Sequence, residues 1–171
     1  YPALGHMAAW MRWPIPLVYH LARVAAGLAL LLAVYALIAR VTQDVAQRRL
    51  AFLFVALSSG LGWLAILFGH AETSDLVIPE SNTFYSLHIN PHFPLAMALM
   101  VGIWLATGSQ RSSVSRTVTL ATLSLALVFV QPFAVVTVYL ALGVYLVLRA
   151  WRDRRIDWPT VWTVAIAGAV T

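Results

Sequence analysis

The sequence predicts an all-α integral membrane protein: a polytopic transmembrane helix bundle with one proline-broken helical hairpin. Three observations predict it. Hydrophobic residues make up 61% of the 171-residue chain and charged residues 10%, against about half and about a quarter in an ordinary soluble domain. The apolar residues gather into runs at 15–39, 50–69, 94–107, 117–130, 132–148 and 159–171, without the period-two alternation of an outer-membrane barrel. The mean hydropathy of +0.84 describes more apolar surface than a sphere of this size can hide from water. Soluble enzymes, disordered tails and disulfide scaffolds are excluded as classes. With no cysteine in the chain, thiol catalysis and cysteine-based zinc sites go as well.

The first two runs, 15–39 and 50–69, each meet the roughly 20 residues that a helix needs to cross about 30 Å of hydrocarbon. Run 94–107 is short for a span. It becomes adequate if residues 82–93 dip into the membrane or lie in its interface, with Pro91 and Pro94 leading in. The stretch 117–148 would make a single helix about 48 Å long, too long for one simple crossing. Its middle holds Gln131-Pro132, and proline breaks the hydrogen-bond ladder and disfavours helix at the residue before it. Two short helices, 117–130 and 132–148, satisfy both length and proline. Their tip either reaches the outer surface or stops inside the protein, where other helices must cover it. The last run, 159–171, is cut short, and the chain opens at Tyr1 without methionine. We therefore expect an internal piece of a longer protein, read as a single membrane bundle over 1–171.

All eleven basic residues are arginines. Nine lie in three linkers: Arg40, Arg48 and Arg49; Arg111 and Arg116; and Arg149, Arg152, Arg154 and Arg155. The positive-inside rule places these linkers in the cytoplasm. The net charge of +5 thus reports topology, and nucleic acid is discarded as a partner. The loop 70–93 has no Arg or Lys and carries Glu72, Asp75 and Glu80, so it belongs outside. Trp10, Trp13, Trp151 and Trp158 bracket the runs as interfacial anchors.

Six residues are candidate ligand-binding positions: His20, Arg23, Glu80, Asn82, His88 and His92. His20 and Arg23 sit three apart near the outer end of the first run, on one helix face. An arginine about two turns into a membrane helix is costly unless it pairs or snorkels. Arg23 is read either as a phosphate or carboxylate clamp opening to the outer leaflet, or as a residue that snorkels to the interface or forms a salt bridge to an acid such as Glu80. The stretch 75–94 gathers histidines, asparagines, an acid and aromatics between apolar runs, as a site or as a hydrogen-bonded outer cap. His88 and His92 have a four-residue spacing that suits a metal pair, but Pro91 interrupts it and no third ligand is near, so no metal is expected. No paired group supports Glu80 or His88 as acid or base, and catalytic residues stay unassigned. Nothing supports haem, and no cofactor is expected. Ser58-Ser59-Gly60-Leu61-Gly62 reads as a small-residue packing patch. The cluster from Arg152 to Arg155 would attract anionic headgroups, though topology alone explains it.

The Ser-Ser-Gly-Leu-Gly-Trp segment at 58–63, Ile-Pro-Glu-Ser-Asn-Thr-Phe at 78–84 and Asn-Pro-His-Phe-Pro at 90–94 resemble uncharacterised bacterial polytopic membrane proteins grouped with the GT-C glycosyltransferases. The resemblance covers roughly 16–152. It implies a many-helix protein of the bacterial inner membrane using a polyprenyl-phosphate sugar donor at the outer face, with Arg23 and the Glu80 loop on that side. This reading predicts an acidic outer loop upstream of Tyr1 and a groove from the outer leaflet to Arg23. The alternative is a non-catalytic accessory subunit of a larger membrane complex, such as a respiratory or photosynthetic electron-transfer complex. A transporter is a third option, compatible with the broken 117–148 stretch. The bilayer is the common partner; a polyprenyl-phosphate lipid or other membrane subunits follow from the first or second reading.

Overall fold

The computed structural model describes residues 2–57, 66–69, 86–88, 90–109 and 113–169. Among them the secondary structure is entirely helical: α1 (Pro2–Met11), α2 (Ile15–Val41), α3 (Val45–Leu57), α4 (His92–Thr107), α5 (Ser113–Val130), α6 (Pro132–Asp153) and α7 (Trp158–Ala169). Residues 86–88 are also helical. The chain divides into two compact units, Tyr1–Ala98 and Leu99–Thr171.

Side-chain chemistry explains where the helices begin and end. Helix α1, which the apolar runs did not foreshadow, closes with Arg12 in the left-handed region at φ 54. There the Arg12 N–H donates to Ala9 O and the Trp13 N–H to Ala8 O, the reciprocal pattern that satisfies terminal carbonyls. Pro16 stands in the first turn of α2, where a missing N–H costs nothing. The Asp44 carboxylate accepts from the Gln47 N–H at 2.7 Å and caps α3. That cap starts the helix five residues before the apolar run at 50–69, because Arg48 and Arg49 are good helix formers that an apolarity count leaves out. Likewise α4 starts at His92 rather than 94, since Pro94 falls in its first turn. Helix α6 runs on past 148 through Arg149–Asp153, an i,i+4 ion pair, and stops at Arg154, again left-handed at φ 52.

In the first unit α2 folds back on α3. Tyr35 meets Phe52 edge-on at 5.7 Å. Arg48 lies 5.8 Å from the Tyr35 ring centre and donates to Thr42 O at 3.2 Å. Buried positions on α2 (Val18, Ala26, Gly27, Leu30, Val34) recur at helical spacing.

The second unit contains the proline-broken hairpin. Ser124 and Tyr139 are 15 positions apart, yet their hydroxyls are 2.8 Å apart; a straight helix would separate them by about 22 Å. The reversal occurs at Gln131, extended at φ −156 and ψ 90, directly before Pro132. Helix α7 packs along α5, and Arg116 reaches Thr163 Oγ1 at 3.4 Å. Tyr139 is where the three helices converge: its hydroxyl meets Ser124 on α5 and its ring lies against Gly168 on α7.

Helices α2 and α6, with 27 and 22 residues, are long and apolar enough to cross a membrane, measuring about 40 and 33 Å. Only 22% and 11% of their most apolar windows are buried within the molecule, whereas the core helix of a soluble protein is mostly covered. Leu21, Val24, Leu28 and Leu32 on α2, and Val136, Leu140, Val144 and Val147 on α6, are all exposed.

Candidate functional site

One face of α2 carries the site. Tyr19, Arg23 and Gly27 follow one another at intervals of four, which aligns them on a single helical stripe. Each meets the segment that leads into α4. The Tyr19 hydroxyl donates to Asn90 Oδ1 at 2.6 Å. Arg23 donates through Nη1 to His88 O at 3.0 Å. Gly27 leaves room for Leu87, whose Cδ2 would lie 3.1 Å from a Cβ placed there. Leu87, His88 and Asn90 therefore follow α2 in the antiparallel sense, with the smallest residue of the stripe beneath Leu87. Ser86, at the start of the segment, is fully buried.

The electrostatics of Arg23 follow from its partner. A backbone carbonyl satisfies one of the five guanidinium donors but does not neutralise the charge. Among the described residues no carboxylate pairs with Arg23. It stands eight residues beyond Ile15, about 12 Å along α2, half-buried with its bond to His88 exposed. An ionic group held there keeps its charge available to an anion approaching the helix end.

The other candidates divide. His20 is exposed and its ring stands edge-on to Tyr19 at 5.9 Å. It lies one position round the helix from the stripe, so Tyr19 rather than His20 accompanies Arg23 in holding the segment. His88 enters through its carbonyl, while His92 opens α4 with its ring 4.0 Å from that of Phe93. Asn90 is not helical and Pro91 is in a turn, so the spacing of His88 and His92 is not a helical one. Among the described residues no three His, Cys, Asp or Glu side chains stand together as a metal site. Glu80 and Asn82, the small-residue patch at 58–62 and the proposed Arg23–Glu80 pair lie outside the described residues. Tyr19, Gly27, Leu87 and Asn90 were not singled out by the sequence. The Tyr-x3-Arg-x3-Gly spacing was the available signal.

A second charged cluster occupies the turn between α6 and α7. Arg149 reaches Asp153 at 3.6 Å and Asp157 at 3.3 Å, and Arg152 reaches Asp153 at 2.8 Å. Asp157 caps α7, accepting from the Thr160 hydroxyl at 2.8 Å and the Thr160 N–H at 3.3 Å. The Thr160 hydroxyl bond, followed by the backbone bond and the nearby Arg149 and Arg116 charges, holds its carboxyl below the usual range against the opposing effect of burial.

No protein-family model, curated protein or solved structure matches this chain.

Proposed function

We propose that this chain is the helical core of a polytopic membrane protein that holds a phosphate-bearing polyprenyl lipid at the outer end of α2. Its arginine-rich linkers face the cytoplasm and the loop 70–93 faces outward. The observation that carries this reading is Arg23: a cation two turns inside an apolar helix, tied to the His88 carbonyl and without a carboxylate partner among the described residues, on the stripe that meets Leu87 and Asn90. Keeping a charge at that depth is costly unless an anion offsets it. The exposed apolar faces of α2 and α6 support placement in lipid. The GT-C resemblance makes a lipid-linked sugar donor the natural source of the phosphate. Transfer of the sugar is the activity that the resemblance adds.

A second reading, a non-catalytic subunit of a larger membrane complex, is favoured by α3. Leu50, Leu53, Phe54 and Leu57 form an exposed stripe lining an apolar groove, the kind of surface that a neighbouring subunit covers.

Native mass spectrometry of the detergent-solubilised particle separates the two. The wild-type particle should retain polyprenyl phosphate, and Arg23→Ala should weaken retention roughly tenfold or more, the usual cost of losing a charged hydrogen-bond donor. Equal retention in both proteins would sink the lipid-phosphate reading. Stoichiometric haem- or iron–sulfur-bearing partners would replace it with the second.

A further inference from the structure

Two non-glycine residues among those described have positive φ, and both are helix-ending arginines: Arg12 at 54 and Arg154 at 52. A left-handed position at a helix end ordinarily takes glycine, because a Cβ crowds the following carbonyl there. Helix termination alone therefore does not explain arginine. What the two corners share is their surroundings. Arg12 lies between Trp10 and Trp13, both exposed. Arg154 lies between Trp151, 71% exposed, and Trp158, 54% exposed, with Trp162 stacked on Trp158 at 6.4 Å.

The α6–α7 corner also sorts its arginines. Asp153 and Asp157 take up Arg149 and Arg152. Arg154 and Arg155 are exposed and have no acidic partner among the described residues. The corner thus carries two exposed guanidiniums, without an acidic partner among the described residues, in a stretch of sequence flanked by exposed indoles, at the end of a helix long enough to cross a membrane. Indoles settle at headgroup depth, and guanidinium matches the fork geometry of a phosphate diester. The left-handed turn ends the helix before Arg154 and Arg155 and puts both on the corner itself.

From this juxtaposition we infer that the Arg154–Arg155 corner is a docking surface for anionic phospholipid headgroups, with Trp151, Trp158 and Trp162 setting its depth in the bilayer. Arg12 with Trp10 and Trp13 repeats the device at the end of α1. The inference rests on the membrane reading above but not on the polyprenyl-phosphate site.

The test reconstitutes the full chain in phosphatidylcholine vesicles containing brominated phosphatidylglycerol or brominated phosphatidylcholine, and compares quenching of tryptophan fluorescence by the two. The wild type should favour phosphatidylglycerol, less so in high salt. Arg154→Gly and Arg155→Gln should each reduce that preference about fivefold, the usual share of one basic residue at an anionic surface. Arg154→Gly also relieves the left-handed backbone, so its helix end should hold at least as well as in the wild type. Arg155→Gln leaves the left-handed turn untouched, which guards against a folding artefact. If both variants insert and keep the full preference, the arginines only end the helix or set topology, and the inference is overturned. A wild type that inserts into phosphatidylcholine without preferring phosphatidylglycerol overturns it while leaving the membrane reading intact. Failure to insert at all overturns both.

Discussion

Gly27 and Gly168 look alike in the sequence, each a single glycine within an apolar helix, but their neighbours differ in what they can yield. A Cβ at Gly27 would meet the tip of Leu87 at 3.1 Å, whereas one at Gly168 would meet the Tyr139 ring at 3.0 and 3.3 Å. A leucine tip can shift by tenths of an ångström. The Tyr139 ring cannot, because its hydroxyl is held by Ser124 at 2.8 Å. Alanine also forms helix better than glycine by about 1 kcal/mol, which offsets a small clash. Gly27→Ala should therefore lie within about 1 kcal/mol of wild type, and Gly168→Ala should lose about 1–3 kcal/mol through overpacking. Unfolding in one detergent would rank them, and a Gly27→Ala loss equal to that of Gly168→Ala would contradict the account. Arg23 was legible as a charge misplaced in an apolar run. Tyr19 and Asn90 were not, because a tyrosine and an asparagine at a helix edge are ordinary until the fold shows them meeting.

Helix ends depend on short-range chemistry, and the clearest case is the start of α7. Asp157 receives both the hydroxyl and the N–H of Thr160, and its carboxyl is lowered in the folded state. A lowered folded pKa contributes stability that is fully present above the ordinary carboxyl range and lost as pH falls through the folded value. Asp157→Ala should cost about 0.5–2 kcal/mol near neutrality, as loss of a cap does. The gap to wild type should close in acid below about pH 4. Melting curves taken across that range would show it, and a gap independent of pH would argue that the carboxylate is irrelevant. The break at Gln131-Pro132 was readable because proline removes a donor wherever it stands inside a helix. The early starts of α3, α4 and α5 were not, since caps and charged first turns carry no apolar signal. Helix α1 was missed because ten residues are too few to register as a span.

For the molecule as a whole, orientation is the property most open to test. The absence of cysteine makes single-cysteine labelling free of background. Under the topology proposed above, Gln43→Cys, in the α2–α3 linker, should react with an impermeant maleimide only after the membrane is opened. His6→Cys should react in intact cells. The reverse pattern would invert the proposed orientation and move Arg23 to the cytoplasmic side.

Composition and run length were enough to read the chain as helical, with helices long and apolar enough to cross a membrane, because hydrophobic transfer adds up along the chain whatever the fold. The proline break and the arginine bias were likewise local or additive. Which residues share a site was another matter. The stripe of Tyr19, Arg23 and Gly27 acquires its meaning from residues some 60 to 71 positions away. Arg149 pairs locally with Asp153, but it reaches Asp157 only because the α6–α7 turn brings that acid back beside α6. Pairings of that kind are set by packing geometry, which no local property of the sequence encodes.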